Sequence, residues 1–383
     1  MADKVLDTPE KKTVEKLFFP NLDGVRAMAA LLIVVSHIEL HKTDFNIPRL
    51  SGVDLSNVGK LGVSVFFSLS GFLITYLLLE ERKNHQKINF TDFYVRRSLR
   101  IWPLYFVVII VGFFIYPKSG STTALWLSVF FLPNVAFCLN LLPAIIDPIW
   151  SIGIEEQFYI FHPHLFRIKK LQHILNAIAL LIVIYLAAFA MIRYFNNDKD
   201  ENSLLNQFLY YARYDNMLVG AAVAILYYNT RNKVFKFRFQ YAFNMVFYGY
   251  TQVLLLFSFF GFIFLYINYT IPQGDLIISS LSALLIVNLC EPGLSLYSLN
   301  GPAIRFIGRI SYGIYLLHKF PIFFVLYLVS KYMRHYPVFL QNLVIFPAVF
   351  LLIIALAAAS YYGFERYFLQ LKKRFQRIPK DAG

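Results

Sequence analysis

Charge is scarce in this sequence. Only 15% of its 383 residues are Asp, Glu, Lys or Arg, where a soluble domain carries about a quarter. Cysteine is nearly absent as well. Cys138 and Cys290 both sit inside apolar stretches, so neither a disulfide framework nor a zinc site is supported. The sequence has no Gly-rich phosphate loop, no serine-hydrolase elbow and no metal-ligand spacing, and no metal is expected. No cleavable signal peptide is expected either. Residues 1–20 are charged and the first apolar segment lacks a small-residue cleavage motif, so that segment is expected to act as an uncleaved insertion signal.

What takes the place of charge is apolar surface: 58% of residues are hydrophobic and 18% aromatic. Apolar segments recur at about 23–40, 61–79, 101–116, 123–142, 149–166, 174–195, 208–228, 241–267, 276–290, 309–330 and 338–363, the pattern of a polytopic membrane protein. The net charge of +14 then points to cytoplasmic loops rather than to nucleic acid. Basic residues crowd the tail with Lys4, Lys11, Lys12 and Lys16, the stretch 81–100, the stretch 167–170, the stretch 231–238 and the C-terminal tail. Asp198, Asp200 and Glu201 mark 196–202 as external, and 268–275, which has no basic residue, joins it. These signs agree only if 123–166 makes one net crossing, with 123–142 re-entrant or interfacial, as its Pro133, Asn134, Asn140 and Pro143 allow. The expected fold is therefore all-α: a polytopic membrane helix bundle of about ten transmembrane helices plus that segment, both termini cytoplasmic. Eleven crossings would place one basic loop outside. No repeat or long linker divides the chain, so one membrane domain over 18–368 is expected, flanked by cytoplasmic tails at 1–17 and 369–383.

Ionisable residues inside a membrane are costly and so mark function by default. In LDGVRAMAALLIVVSH, residues 22–37, Arg26 and His37 are eleven positions apart. That spacing puts them within roughly 20° on one helix face and about 16 Å apart along it. A cation at the surface and an imidazole in line above it describe a passage for something long and anionic, although a histidine satisfied within the bundle is the plainer alternative. In FYVRRSLRIWPLY, residues 93–105, Arg97 and Arg100 share a face beside Arg96. Guanidinium groups there suit multiply charged phosphate, and they serve equally as topology anchors. GVSVFFSLSGFLIT, residues 62–75, has the small residues either for tight packing or for a thin ligand chain. In WSIGIEEQFY, residues 150–159, Glu155 and Tyr159 are spaced i, i+4. The glutamate could orient or protonate a histidine, or pair with an arginine such as Arg213. In SYGIYLLH, residues 311–318, Tyr312, Tyr315 and His318 form one stripe. Arg213 and Asp215 read as a buried couple near the external side.

These five motifs, in this order, resemble the integral-membrane acyltransferase-3 family, whose members carry an LDGLRAxAxxxVxxxH helix, GVxxFFxLSGFLI, FxxRRxxRIxPxY, WSLxxEEQFY and a late SYxxYLxH helix. The resemblance spans about residues 18–368. It implies O-acyl transfer, commonly acetyl, from a cytoplasmic coenzyme A thioester to hydroxyls of surface or exported sugars, at the cell membrane. It also implies that Arg26, Arg97 and Arg100 bind the acyl-CoA, with Arg26 and His37 matching the arginine–histidine helix. Glu155 matches the family's glutamate. Ser64 departs from the pattern, since many members have Asp there, and Glu365-Arg366-Tyr367 stands where ERP is common. Some relatives carry an added extracytoplasmic hydrolase-like domain; for a chain ending at Gly383 that unit is expected to be a separate protein.

The expected chemistry follows from the two readings together. Acetyl-CoA or another acyl-CoA enters along the Arg26–His37 face, and His37 is the general base for a carbohydrate hydroxyl. Glu155 orients the imidazole or relays the proton. Tyr312, Tyr315 and His318 line the acceptor side or hold the oxyanion. Direct transfer and an acyl-histidine intermediate are both open. The competing class is a transporter of a polar or anionic solute. Acceptor identity, acyl length and oligomeric state are not legible in the sequence.

Overall fold

The Arg26–His37 segment forms α1 (Pro20–Lys42), with Pro20 in its first turn, Asp23 near its positive end, and His41 and Lys42 in its last turn. Each suits its end of the helix dipole. The computed structural model describes residues 19–50, 55, 58–117, 119–195, 204–269, 271, 273–291 and 293–376. The expected tail 1–17, the acidic loop 196–202 and residues 377–383 of the C-terminal tail lie outside the described residues. After α1 come α2 (Val58–His85) and α3 (Phe90–Ile115), the latter begun by Asn89, whose side chain accepts the Asp92 amide at 3.2 Å.

Several expected single segments are broken. The run at 123–142 consists of two short helices, α4 (Ser121–Val129) and α5 (Pro133–Cys138), parted where Phe131 takes a left-handed φ of 59°. The run at 149–166 is α6 (Ile149–Phe161) followed by a tighter turn that contains Pro163. After α7 (Leu171–Phe195), the run at 208–228 is α8 (Leu204–Ala212) and α9 (Tyr214–Asn232), split by Arg213 at φ 43°. Then follow α10 (Gln240–Asn244), α11 (Gly249–Asn268) and α12 (Gly274–Cys290). The run at 309–330 is α13 (Pro302–Leu317) and α14 (Lys319–Tyr332), bent by 65° at His318. Pro321 has no N–H to give Leu317, so the hydrogen-bond ladder is interrupted at that bend. The chain ends in α15 (Val338–Ser360), a wide π turn at Tyr361–Glu365, and α16 (Arg366–Lys372).

All the regular structure of the described residues is helical, with no strand among them. By length and composition α1, α2, α3, α7, α11 and α15 are able to cross a membrane, and the bent pair α13–α14 makes a seventh if it is one span. The outward faces carry Phe114, Val183, Phe257, Phe264 and Leu351, all largely exposed, a surface suited to lipid rather than water.

At the centre lies α2, packed against α1, α9 and α12. It approaches α9 backbone to backbone. A Cβ on Gly71 would overlap the carbonyl of Met217, and one on Gly220 would overlap the carbonyl of Ser68. Of the two uses open to the small residues of 62–75, Gly71 therefore serves packing. Gly220→Ala is expected to cost about 1–3 kcal/mol through the forced separation of the helices, read as a lower unfolding midpoint in detergent. An unchanged midpoint would show that the crossing is not this tight.

Candidate active site

A cavity of about 160 Å³ lies among α1, α2, α3, α6 and α13. Arg26, Arg97, Arg100, Glu155, Tyr312 and Tyr315 all line it, together with Ser70, Arg96 and Tyr159. Residues separated by nearly three hundred positions are thus brought to one chamber. His37 and His318 lie beyond its upper end.

The cations in it are not equivalent. Arg26 is paired with Asp23, and Arg96 with Glu81 at 2.6 Å. Among the described residues Arg97 and Arg100 form no ion pair. Arg97 stacks over the rings of Phe93 and Tyr159 at 5.7 and 5.6 Å, and its Nε is buried with no hydrogen-bond partner. A buried donor left unmade is expensive, so this wall is set up for an anion that would satisfy it.

Glu155 faces the same chamber. One oxygen accepts from Ser70 at 3.1 Å and the other from Tyr159 at 3.0 Å, which is the i, i+4 pair read from the sequence. Glu156, a further 100° around the helix, turns away to accept from Trp102 Nε1 at 3.1 Å. The alternative partner Arg213 is elsewhere: it pairs with Asp275 at 3.0 Å. That pairing also corrects the expected Arg213–Asp215 couple. The left-handed backbone at Arg213 starts a new helix direction, so its side chain reaches α12 rather than its own helix.

Direct orientation of His37 by Glu155 does not occur either. The helices α1 and α2 pack with Gly59 against Ser36, which sets His37 near the start of α2. Ser70, the partner of Glu155, is eleven residues further along α2, or about 16 Å. Glu155 therefore sits at the depth of Arg26. The partner of His37 is His318: Nδ1 of His37 is 2.9 Å from Nε2 of His318, whose own Nδ1 is 2.7 Å from the Tyr315 carbonyl. A carbonyl only accepts, so His318 Nδ1 carries a proton. In the neutral ring its Nε2 is then an acceptor, His37 Nδ1–H donates to it, and the lone pair of His37 is left on Nε2. A buried imidazole thereby orients another.

On the side of the histidine pair the chamber is lined by Phe66 and Tyr315, packed edge to face at 5.9 Å between ring centres, with the Tyr315 ring 6.1 Å from that of His318. Val63, at the top of the lining, is one helical turn, about 6 Å, from the level of Gly59 and His37. Neither His37 nor His318 is among the residues that line the chamber, so the single open passage expected along the Arg26–His37 face does not reach the imidazole in this structure. Tyr315 OH is held by Ser151 at 2.6 Å and by the Pro148 carbonyl at 3.0 Å, and Tyr312 OH donates to the Ile101 carbonyl at 2.7 Å.

Three neighbours of the histidine pair escaped the sequence reading. His41 stacks 6.1 Å from His37, and its i, i+4 spacing was a usable signal. Lys319 is buried beside His318, 2.5 Å from Asp147. Asp147 lies in a non-helical stretch and has no periodicity to announce it. The C-terminal region also contributes. The boundary expected at 368 falls inside α16, Lys372 and Gln376 line the chamber, and the Phe375 carbonyl accepts from Arg96 at 2.9 Å.

This architecture and site accompany a family assignment: the chain belongs to the acyltransferase domain family, matched over residues 19–362. It is 28% identical over 324 residues to the peptidoglycan O-acetyltransferase OatA of Listeria monocytogenes, covering 79% of this chain and 49% of that one. It is also 28% identical over 332 residues to the putative peptidoglycan O-acetyltransferase YrhL of Bacillus subtilis, covering 80% and 49%. A third relative, the O-acetyltransferase OatA of Staphylococcus aureus, is 27% identical over 412 residues, covering 99% and 62%. The chain spans about half the length of the first two relatives and under two thirds of the third. No solved structure matches it.

Proposed function

We propose that this protein is a multi-pass O-acyltransferase of the cell membrane that moves an acetyl group from acetyl-CoA to a hydroxyl of a cell-envelope glycan. The carrying observation is a chamber with two guanidinium groups that form no ion pair among the described residues, Arg97 and Arg100, one helical turn below an oriented imidazole pair. Phosphates of coenzyme A bind Arg97 and Arg100, with the already paired Arg26 extending the positive surface. The chamber opens to the cytoplasm, where the basic loops and both termini lie, and about ten crossings satisfy the loop charges. The shorter helices would supply the crossings beyond those long enough by themselves. Two of the relatives are named a peptidoglycan O-acetyltransferase and a putative one, which supports a peptidoglycan sugar as acceptor. No metal is used.

The thioester arm passes the Phe66–Tyr315 ring pair to reach His37. Nε2 of His37 takes the proton of the sugar hydroxyl as its oxygen bonds to the thioester carbonyl carbon. The C–S bond then breaks, and the imidazolium returns the proton to the departing thiolate. His318 is the positioning residue for His37. Glu155, fixed by Ser70 and Tyr159, holds the depth at which the arm begins. Tyr312 and Tyr315 shape the wall.

The test is donor consumption by the purified full chain in lipid nanodiscs. Acetyl-CoA with a glycan acceptor is expected to yield free thiol and an acetylated sugar by mass spectrometry. Absence of both, with anion uptake into proteoliposomes, would replace the enzyme with a transporter.

A further inference from the structure

At the opposite end of α2 from Glu81 lies a second, larger cavity of about 850 Å³, within the roughly 300–1,000 Å³ range of small-molecule sites. Its lining includes residues of the turn at 139–148 and of the 268–275 connection, the latter being a segment that loop charge places outside. We infer that this cavity binds the carbohydrate acceptor, two or three sugar rings long, and presents its hydroxyl toward His37. The assignment rests on the acyltransferase reading above.

Its chemistry differs in kind from that of the arginine chamber. There Arg97 and Arg100 have no ion-pair partner among the described residues. Here the Arg213 guanidinium is held by Asp275 at 3.0 Å and by Ser64 Oγ at 3.2 Å, and Tyr266 OH donates to the same aspartate at 2.7 Å. Asp147, on another wall, is neutralised from behind by Lys319. Arg213 and Asp147 are offset by their partners, and Lys60 and Asp215 add one charge of each sign to the lining, so a neutral ligand rich in hydroxyls fits better than a polyphosphate. Asn216 is fully buried and lines the cavity. Its Nδ2 donates to Ser64 Oγ at 3.4 Å, while its Oδ1 has no partner. That oxygen is a ready acceptor for a sugar hydroxyl. The half-buried ring of Tyr210, with Arg213 4.9 Å and Lys60 5.9 Å from its centre, adds apolar surface for the C–H side of a pyranose.

Its position ties it to the reacting imidazole. Asp147 lines the cavity, binds Lys319, and is followed by Pro148, whose carbonyl accepts from Tyr315. Lys319 adjoins His318, which holds His37. Residues 144–151 thus serve both cavities, Ala144 and Asp147 lining this one and Ser151 the arginine chamber. Ser64, where a carboxylate is common in the family pattern, is compensated in space by Asp275, 3.2 Å away on α12.

The experiment measures equilibrium binding of the β-1,4-linked N-acetylglucosamine trimer and, separately, of CoA to the full chain in nanodiscs. Tyr210→Ala and Asn216→Leu are expected to weaken the trimer by at least about tenfold and to leave CoA within about twofold. Tyr210→Phe should keep the trimer. Retained CoA binding shows that the variants are folded. Trimer affinity unchanged in both variants, or a wild-type chain that binds CoA but not the trimer, overturns the acceptor cavity and leaves the donor reading standing. Trimer binding sensitive to these variants, with no CoA binding by wild type, supports the cavity and overturns the donor reading instead.

Discussion

His37→Ala is expected to lower acyl transfer by about 10²–10⁴-fold, the usual yield of a positioned general base, with CoA affinity and membrane insertion intact. The reason is geometric. The hydrogen bond to His318 fixes His37 Nδ1 as the donor and leaves Nε2 as the base; alanine supplies neither. His318→Gln separates orientation from proton transfer. It keeps His37 but loses the ring that fixes its tautomer, and a fall of about 10–100-fold is expected, as for other partners that orient a functional histidine. Initial rates of thiol release with acceptor present, read beside CoA binding, check both. Transfer at the wild-type rate in His37→Ala would remove the imidazole from the chemistry, whatever its hydrogen bonds.

The second large effect belongs to the arginine wall. Arg97→Ala with Arg100→Ala should weaken CoA by about a hundredfold or more, since each charge-assisted hydrogen bond to phosphate contributes about 1.5–3 kcal/mol. Lysine at both positions should recover only part, because the ammonium cannot reproduce bidentate contacts. The wild-type affinity should also fall with added salt, and the double variant should lose most of that dependence. Arg26, whose charge is already met by Asp23, should matter less than Arg97, whose Nε has no partner. Unchanged CoA affinity in the double variant would reduce both residues to topology anchors.

Within single helices the linear pattern was a good guide. The eleven-residue spacing of Arg26 and His37 lies on one continuous helix, and the Glu155–Tyr159 spacing is realised as a hydrogen bond. Helix breaks were less legible. A hydropathy window averages over many residues, so one left-handed residue such as Arg213, or one missing amide such as that of Pro321, passes unnoticed inside an apolar run. The wrong partner for Arg213 followed from that. Asp215 is near in sequence, but the break sends the guanidinium to Asp275 on α12.

Read alone, the order of residues determined that this chain is helical and membrane-embedded, that it carries the five motifs of its family, and which side chains share a helix face. The reason is that a helix sets neighbours three and four residues apart through backbone geometry alone. Which faces meet was decided only in three dimensions. The histidine pair joins residues 281 positions apart, and the two cavities are defined by helices remote in sequence. Those meetings depend on close approaches such as Gly71 to Met217 and on the burial of paired polar groups, which are properties of packed surfaces rather than of any one segment.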